Sequence, residues 1–381
     1  MVNAAATRRG TRVPPDEASN SPSAETEQGA GLQLWGVHEL PWLGEALAAT
    51  LRHQKGHAVM VHADPGHGSL EFAFGLAQAW LCESGDGAQR PCGQCVSCRL
   101  TRAQTHPDLM LRLPQHLALQ HGMAVEYDDK RKPSRQIRVA ELRAALDWSV
   151  TTSGRGRGKV LVIHPAETMN AVTASALLKT LEEPPAGMRI VLTTADPGLL
   201  LATISSRCQR VVLPRPQRPE SLTWLQQRGV ADAALLLDAT GGRPLTALRW
   251  HVDGLDARAW AAIPSAVARA DATVFAAWPV PRMIDALQKL AHDAALRSCG
   301  AEPRFFPRAS LPDGLDLAAA ARWHQSLLRV VRHADHPWNE GLLAEALVSE
   351  GAQVWQGARA TTQTARAMPR ADTLSARLPS S

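Results

Sequence analysis

Four short apolar runs punctuate the chain: residues 57–62 (HAVMVH), 159–164 (KVLVIH), 188–194 (MRIVLTT) and 210–213 (RVVL). Each is too short for a buried helix and is bounded by polar or turn residues, so each predicts a buried strand. Between them the spacing changes to the helical period. Residues 43–53 (LGEALAATLRH), 70–82 (LEFAFGLAQAWLC), 138–150 (RVAELRAALDWSV) and 170–183 (NAVTASALLKTLEE) predict helices, the last stopped by Pro184-Pro185. Residues 199–204 predict a short helix or turn. Apolar strands alternating with helices predict a parallel sheet covered on both faces. After Pro214 the pattern changes. Residues 215–219 (RPQRP) read as a hinge, residues 219–251 as helices broken at Gly229 and Gly241-Gly242, and residues 257–355 as helices with short proline-bearing breaks. The fold class is therefore α/β followed by all-α, with no internal repeat.

Composition refines this outline. Hydrophobic residues make up 45% and charged residues 20%, an ordinary globular balance, but aromatics reach only 4%, so the core is built from Ala, Leu and Val. Residues 1–32 are rich in Ala, Ser, Pro, Thr and Glu, and residues 357–381 carry four Arg and no aromatic. Both are expected to be disordered tails, because they cannot bury enough surface to offset chain entropy. A net charge of +5 permits a nucleic-acid partner without demanding one. No apolar stretch reaches the ~18 residues that a spanning helix needs. Arg8-Arg9 has no apolar segment behind it, so the expected location is cytoplasmic and away from any membrane.

Four of the six cysteines, Cys82, Cys92, Cys95 and Cys98, fall in the spacing C-x9-C-x2-C-x2-C. Two C-x-x-C turns can deliver thiolates to one tetrahedral ion, and four thiolates leave no open position, so a structural zinc is expected. The alternatives are buried free thiols, or His106 standing in for one ligand. Cys208 and Cys299 stand alone and are expected to be packed thiols.

Residues 57–82 have the outline of a phosphate-binding loop, G-x-x-x-x-G-K-[ST]. Aligned on Gly68, the first glycine position holds Ala63, the lysine position Ser69 and the hydroxyl position Leu70. The lysine that would neutralise β/γ-phosphate charge and the hydroxyl that would hold Mg²⁺ are both lost. The next strand ends in His164-Pro165 instead of an acid, and the first acid is Glu167. A working ATPase is not expected, and the remnant (Gly66, Gly68, Ser69) is at most a degenerate loop. A plain glycine turn gives the same local pattern.

Residues 175–185 (SALLKTLEEPP) resemble the N-x-L-L-K-x-L-E-E-P-P segment of bacterial clamp-loader subunits. Residues 203–209 (TISSRCQ) resemble their T-I-x-S-R-C-Q segment, His106-Pro107-Asp108 follows the cysteine cluster as in that family, and Met169-Asn170 precedes the long helix. The resemblance covers about residues 33–214. Ser175 in place of Asn, a nine-residue first cysteine gap and His164 in place of the acid depart from it. It implies an AAA+ fold: a RecA-like domain over 33–214 with a zinc module at 82–98, a helical lid over 215–256 and a helical collar over 257–356. It also implies a subunit of the DNA polymerase III machinery that does not itself hydrolyse ATP. Its partners would be motor and delta subunits in a ring of five and, through that ring, the sliding clamp and primer-template DNA. Arg207 of the S-R-C segment would then be an arginine finger acting in trans, a role suited to an always-charged bidentate guanidinium. A local ion pair is the plainer role for Arg207. Glu182 and Glu183 are expected to cap, pair or serve as scaffold. The basic run Lys130, Arg131, Lys132, Arg135 and Arg138, and Arg155, Arg157 and Lys159, are expected to be mostly solvated, with a DNA contact the sharper alternative. Arg243 lies where a lid arginine senses nucleotide in active subunits. The competing functions are an active AAA+ motor and a zinc-bearing DNA-binding protein.

Overall fold

The computed structural model describes residues 36–85, 87, 90–123, 125, 132–332 and 338–356. Both expected tails, and Lys130 and Arg131 of the basic run, lie outside the described residues.

The first part of the chain alternates helices and strands: α1 (Gly44–His53), β1 (Ala58–His62), α2 (Ser69–Leu81), α3 (Val96–Arg102), β2 (Leu109–Arg112), α4 (Gln115–Gln120), α5 (Val139–Ser149), β3 (Lys159–Ile163), α6 (Ala171–Glu182), β4 (Met188–Thr194), α7 (Ala202–Ser205) and β5 (Gln209–Val212). The strands form one five-stranded sheet in the order β2-β3-β4-β1-β5, and every pairing is parallel. Continuous apolar runs arise because the sheet has no solvent face. Val160, Val162 and Val191 join one core with Phe72 and Leu76 of α2, while Leu161, Ile163, Ile190 and Leu192 join the opposite core with Leu142 of α5 and Leu177 of α6. Alternate side chains point to opposite faces, so a strand covered on both sides is apolar at every position.

β2 and the short helices α3 and α4 are elements the periodicity did not announce. All four residues of β2 are only half-buried, because it pairs on one side alone, with β3. An edge strand of four residues ending in an arginine has too weak a pattern to stand out. The helix over 170–183 is capped as its sequence suggests: Asn170 Oδ1 accepts from Thr173 N at 2.9 Å.

Beyond β5 the described residues are helical: α8 (Arg218–Gln226), α9 (Ala233–Ala239), α10 (Pro244–Val252), α11 (Ala257–Ala268), α12 (Val280–Ser298), α13 (Leu317–Arg332) and α14 (Glu340–Ala352), with short 3-10 turns between some of them. α8 to α10 share the first core through Trp224, Leu236 and Leu248. α11 to α14 enclose another around Trp260, Leu287, Leu290 and Trp323. A five-stranded parallel sheet followed, among the described residues, by helices is the α/β-then-all-α fold class that the sequence implied. No helix among the described residues is long and apolar enough to cross a membrane.

Asp293 of α12 holds the last core together. It is fully buried and accepts from three successive amides, Arg304 N at 2.9 Å, Phe305 N at 2.7 Å and Phe306 N at 2.8 Å. Phe306 in turn stacks on Trp260. Asp293→Ala leaves buried donors unpaired and is expected to cost roughly 3 kcal/mol, read as a lower urea midpoint at unchanged m-value.

Candidate functional site

The β1–α2 turn, read from the sequence as a degenerate phosphate loop, lines a cavity of about 470 Å³. Gly66 and Gly68 both have positive φ, +81° and +97°. Their space is used by the chain itself. A Cβ on Gly66 would lie 2.3 Å from Thr246 Oγ1 of α10, and one on Gly68 would lie 3.0 Å from both Leu40 and Leu43. Leu245 N of α10 donates to Gly66 O at 3.3 Å, and Trp42 Nε1 donates to His67 O at 2.8 Å. Close packing against α10 and the N-terminal turns thus accounts for both glycines without a ligand.

Ser69 opens α2, and Ser69, Leu70 and Glu71 line the cavity. Glu71 was not singled out from the sequence. It is 7% exposed, and its carboxyl folds back on its own backbone amide at the helix N-terminus. Burial pushes that carboxyl up to about 7. An acid within an otherwise apolar helix (LEFAFGLAQAWL) is the signal that could have marked it. Between about 4.5 and 7 the folded chain keeps a proton that the unfolded chain has lost, so this residue makes stability fall as pH rises through that window. Glu71→Gln stays neutral and is expected to be more stable than the parent at pH 8 by up to about 3 kcal/mol, with little difference at pH 4, by urea unfolding at both values.

At the end of β3, His164 is half-buried, desolvation of its ring drives its pKa down to about 3, and its Nδ1 lies 2.6 Å from Thr193 Oγ1 of β4. A neutral imidazole therefore stands where the resemblance implies an acid. The first acid after β3 is nonetheless present at the cavity: Glu167 accepts from Ala195 N at 3.0 Å through Oε1, while Oε2 is buried without a hydrogen-bond partner. Arg243, the residue with a sensor-like sequence position, caps α10 and is not among the residues lining the cavity. Arg249 and Arg282 line it instead, and both are paired with Asp253.

The four cysteines converge. Their Sγ atoms all lie within 4.8 Å of one another, with Cys82–Cys95 and Cys92–Cys98 each at 3.9 Å. An ion bound tetrahedrally at a zinc–thiolate length of about 2.3 Å sets sulfur separations of about 3.8 Å, so the donors fit such an ion. Backbone amides face the sulfurs: Cys95 N to Cys92 Sγ and Cys98 N to Cys95 Sγ at 3.4 Å, Cys92 N to Cys82 Sγ and Glu83 N to Cys95 Sγ at 3.5 Å. The Cys95 amide favours the Cys92 thiolate and helps bring it down to about 6, while burial raises the Cys98 thiol. His106 is not a fifth member. Its Nε2 lies 2.9 Å from Ser97 Oγ, and its Nδ1 accepts from Asp108 N at 3.0 Å.

His106 and Asp108 instead stitch the cysteine module to the sheet. Ser97 Oγ donates to Glu83 Oε1 at 3.1 Å, and Arg155 Nε donates to the same oxygen at 2.6 Å. Asp108, 1% exposed, accepts from Gly154 N at 2.7 Å, Arg155 N at 2.8 Å and Ser153 Oγ at 2.9 Å. The glycine-rich loop before β3 is therefore tied down, and Arg155 is an ion-pair partner of Glu83. Lys159, expected to be exposed, is buried against Trp148, donating to Trp148 O at 2.8 Å.

Arg207 follows α7 on the surface and is not among the residues lining the cavity. Its Nη1 donates to Thr203 O at 2.9 Å and its Nη2 to Glu182 Oε1 at 2.5 Å. Leu199 and Leu201, just upstream, are exposed large hydrophobics. Cys208 beside it is partly buried, with its thiol pushed up to about 12 by desolvation.

The family model described as DNA polymerase III, delta subunit, matches residues 43–217. The chain is 36% identical over 222 residues to DNA polymerase III subunit delta' of Pseudomonas aeruginosa, covering 56% of this chain and 62% of that one. It is 32% identical over 215 residues to subunit delta' of Escherichia coli, covering 55% and 59%. It is also 33% identical over 171 residues to DNA polymerase III subunit tau of Salmonella typhimurium, covering 45% and 23%. The chain thus spans about 60% of the length of the two delta' relatives. Residues 43–217, which hold the sheet, the cysteine centre and the S-R-C arginine, match the family model described as DNA polymerase III, delta subunit, and the chain is similar to the delta' subunits of bacteria.

Proposed function

We propose that this chain is a non-hydrolysing subunit of a bacterial clamp loader, which helps place the sliding clamp on primer-template DNA and supplies Arg207 in trans to a neighbouring motor subunit. One contrast carries the reading. The chain's own phosphate loop lacks the lysine, the hydroxyl and the acid of an ATPase and packs against α10, while the arginine of the S-R-C segment stands on the surface outside that cavity. Matches to delta' and tau subunits of DNA polymerase III support the replication setting. Exposed Leu199 and Leu201 beside Arg207 suit a face that meets another protein.

In this reading residues 33–214 are the RecA-like domain, 215–256 the lid, and 257–356 the collar that joins motor and delta subunits into a hetero-pentamer in the cytoplasm. Zinc fills the site of Cys82, Cys92, Cys95 and Cys98. When bound it supplies local order and no reaction step, because four thiolates complete its coordination.

The test is steady-state ATP hydrolysis by the reconstituted assembly with clamp and primed DNA, beside the isolated chain. A silent chain whose addition raises the rate of the motor subunits is the expected result. Turnover by the chain alone would make it a motor in its own right.

A further inference from the structure

The geometry points to Glu182 as the residue that positions Arg207, an inference that rests on the finger reading just given. An arginine side chain carries about 2 kcal/mol of rotamer entropy. A catalytic group misplaced by about 1 Å costs on the order of 10²-fold in rate. A finger offered to another protein's phosphates therefore benefits from being oriented before it arrives.

Arg207 is held from two elements. Thr203 O belongs to α7, a helix of four residues, and takes Nη1 at 2.9 Å. Glu182 is the last residue of α6 and takes Nη2 at 2.5 Å. α6 is the firmer of the two supports. It is capped by Asn170, buries Leu177 and Leu181 in the sheet core, and ends at Pro184-Pro185, so its last carboxylate is carried on a fixed frame. A guanidinium has five N–H donors. Two such acceptors fix its plane and still leave donors for phosphate oxygens.

The pair is not a strong source of stability. Its side chains are 35% and 50% exposed, and exposed ion pairs contribute little. Its value lies in orientation. The carboxylate also opposes an approaching phosphate, so Glu182→Gln, which keeps an acceptor oxygen and drops the charge, separates position from electrostatics.

The experiment is a double-mutant cycle in the reconstituted assembly with motor subunits, clamp and primed DNA. Its arms are Glu182→Ala, Glu182→Gln, Arg207→Ala and Glu182→Ala with Arg207→Ala, with assembly checked by gel filtration. Glu182→Ala is expected to lower kcat at the neighbouring site by about tenfold at unchanged KM for ATP, and Glu182→Gln to recover most of it. In the double variant, removal of Glu182 is expected to add nothing to the loss from Arg207→Ala. A wild-type rate for Glu182→Ala beside a slow Arg207→Ala overturns the positioning role alone. So do losses that multiply, because Glu182 would then act without Arg207. A wild-type rate for Arg207→Ala sinks the finger, and the role of Glu182 with it.

Discussion

Arg207→Ala, placed in an otherwise intact assembly, is expected to slow ATP hydrolysis at the neighbouring site by on the order of 10³–10⁵, the range over which arginine fingers act on phosphoryl transfer. The loss arises because charge on the γ-phosphate develops in the transition state and a fixed guanidinium meets it without reorganisation. The total rate of the assembly falls only by the share that this site carries, so single-turnover measurement at that site is the sharper readout. Arg207→Lys keeps the charge and loses the fork that spans Thr203 and Glu182, so it is expected to recover only a small part of the rate. Folding of the isolated variant should be nearly unchanged, because the pair it loses is largely exposed. Equal rates for parent and variant in a complex of normal composition would leave the chain a scaffold.

The second large effect is on the metal. Cys95→Ser removes a donor whose sulfur also receives two of the amides, from Glu83 and Cys98. The purified chain is expected to fall from about one zinc ion to almost none, measured by elemental analysis. Structural zinc sites carry about 10–16 kcal/mol of apparent binding energy in small peptides at pH 7, and most of that is coupled to folding. Here the loss is expected to stay local. The core between the sheet and α5 and α6 contains none of the module's residues, while Cys82 and Gln78 tie the module to α2 and Glu83, Ser97, His106 and Asp108 link it to the loop before β3. Hydrogen exchange should therefore rise over the module and over residues 153–158, with the α6 amides still protected. Full metal-free stability with no change in exchange at residues 153–158 would make the four cysteines a packed thiol cluster.

The periodicity of the sequence determined the α/β part except β2, α3 and α4, because a strand buried on both faces must be apolar at every position and a covering helix must repeat its apolar residues every three to four. The C-x-x-C spacing determined the cysteine centre for a similar reason: a tight turn alone brings two thiolates together. The lost lysine and hydroxyl were equally local, since both would project from the first residues of one helix. What the sequence could not place were side chains whose meaning depends on partners far along the chain. Glu71 is unusual only because the fold buries it, and Glu167 only because its carboxylate ends at the same cavity. Arg249 and Arg282 lie more than 150 residues from the loop they approach, and no local pattern distinguishes them from surface arginines. His106 passed for a ligand by proximity in sequence, yet hydrogen bonds to Ser97 and Asp108 turn both ring nitrogens to other work. Glu182 and Arg207 are 25 positions apart, and only the packing of α6 beside α7 makes them one unit. Secondary structure and ligand spacing follow from short-range sterics and periodicity. The surroundings of a charge are set by tertiary packing, and it was there that the ordinary-looking acids and arginines of this chain acquired their roles.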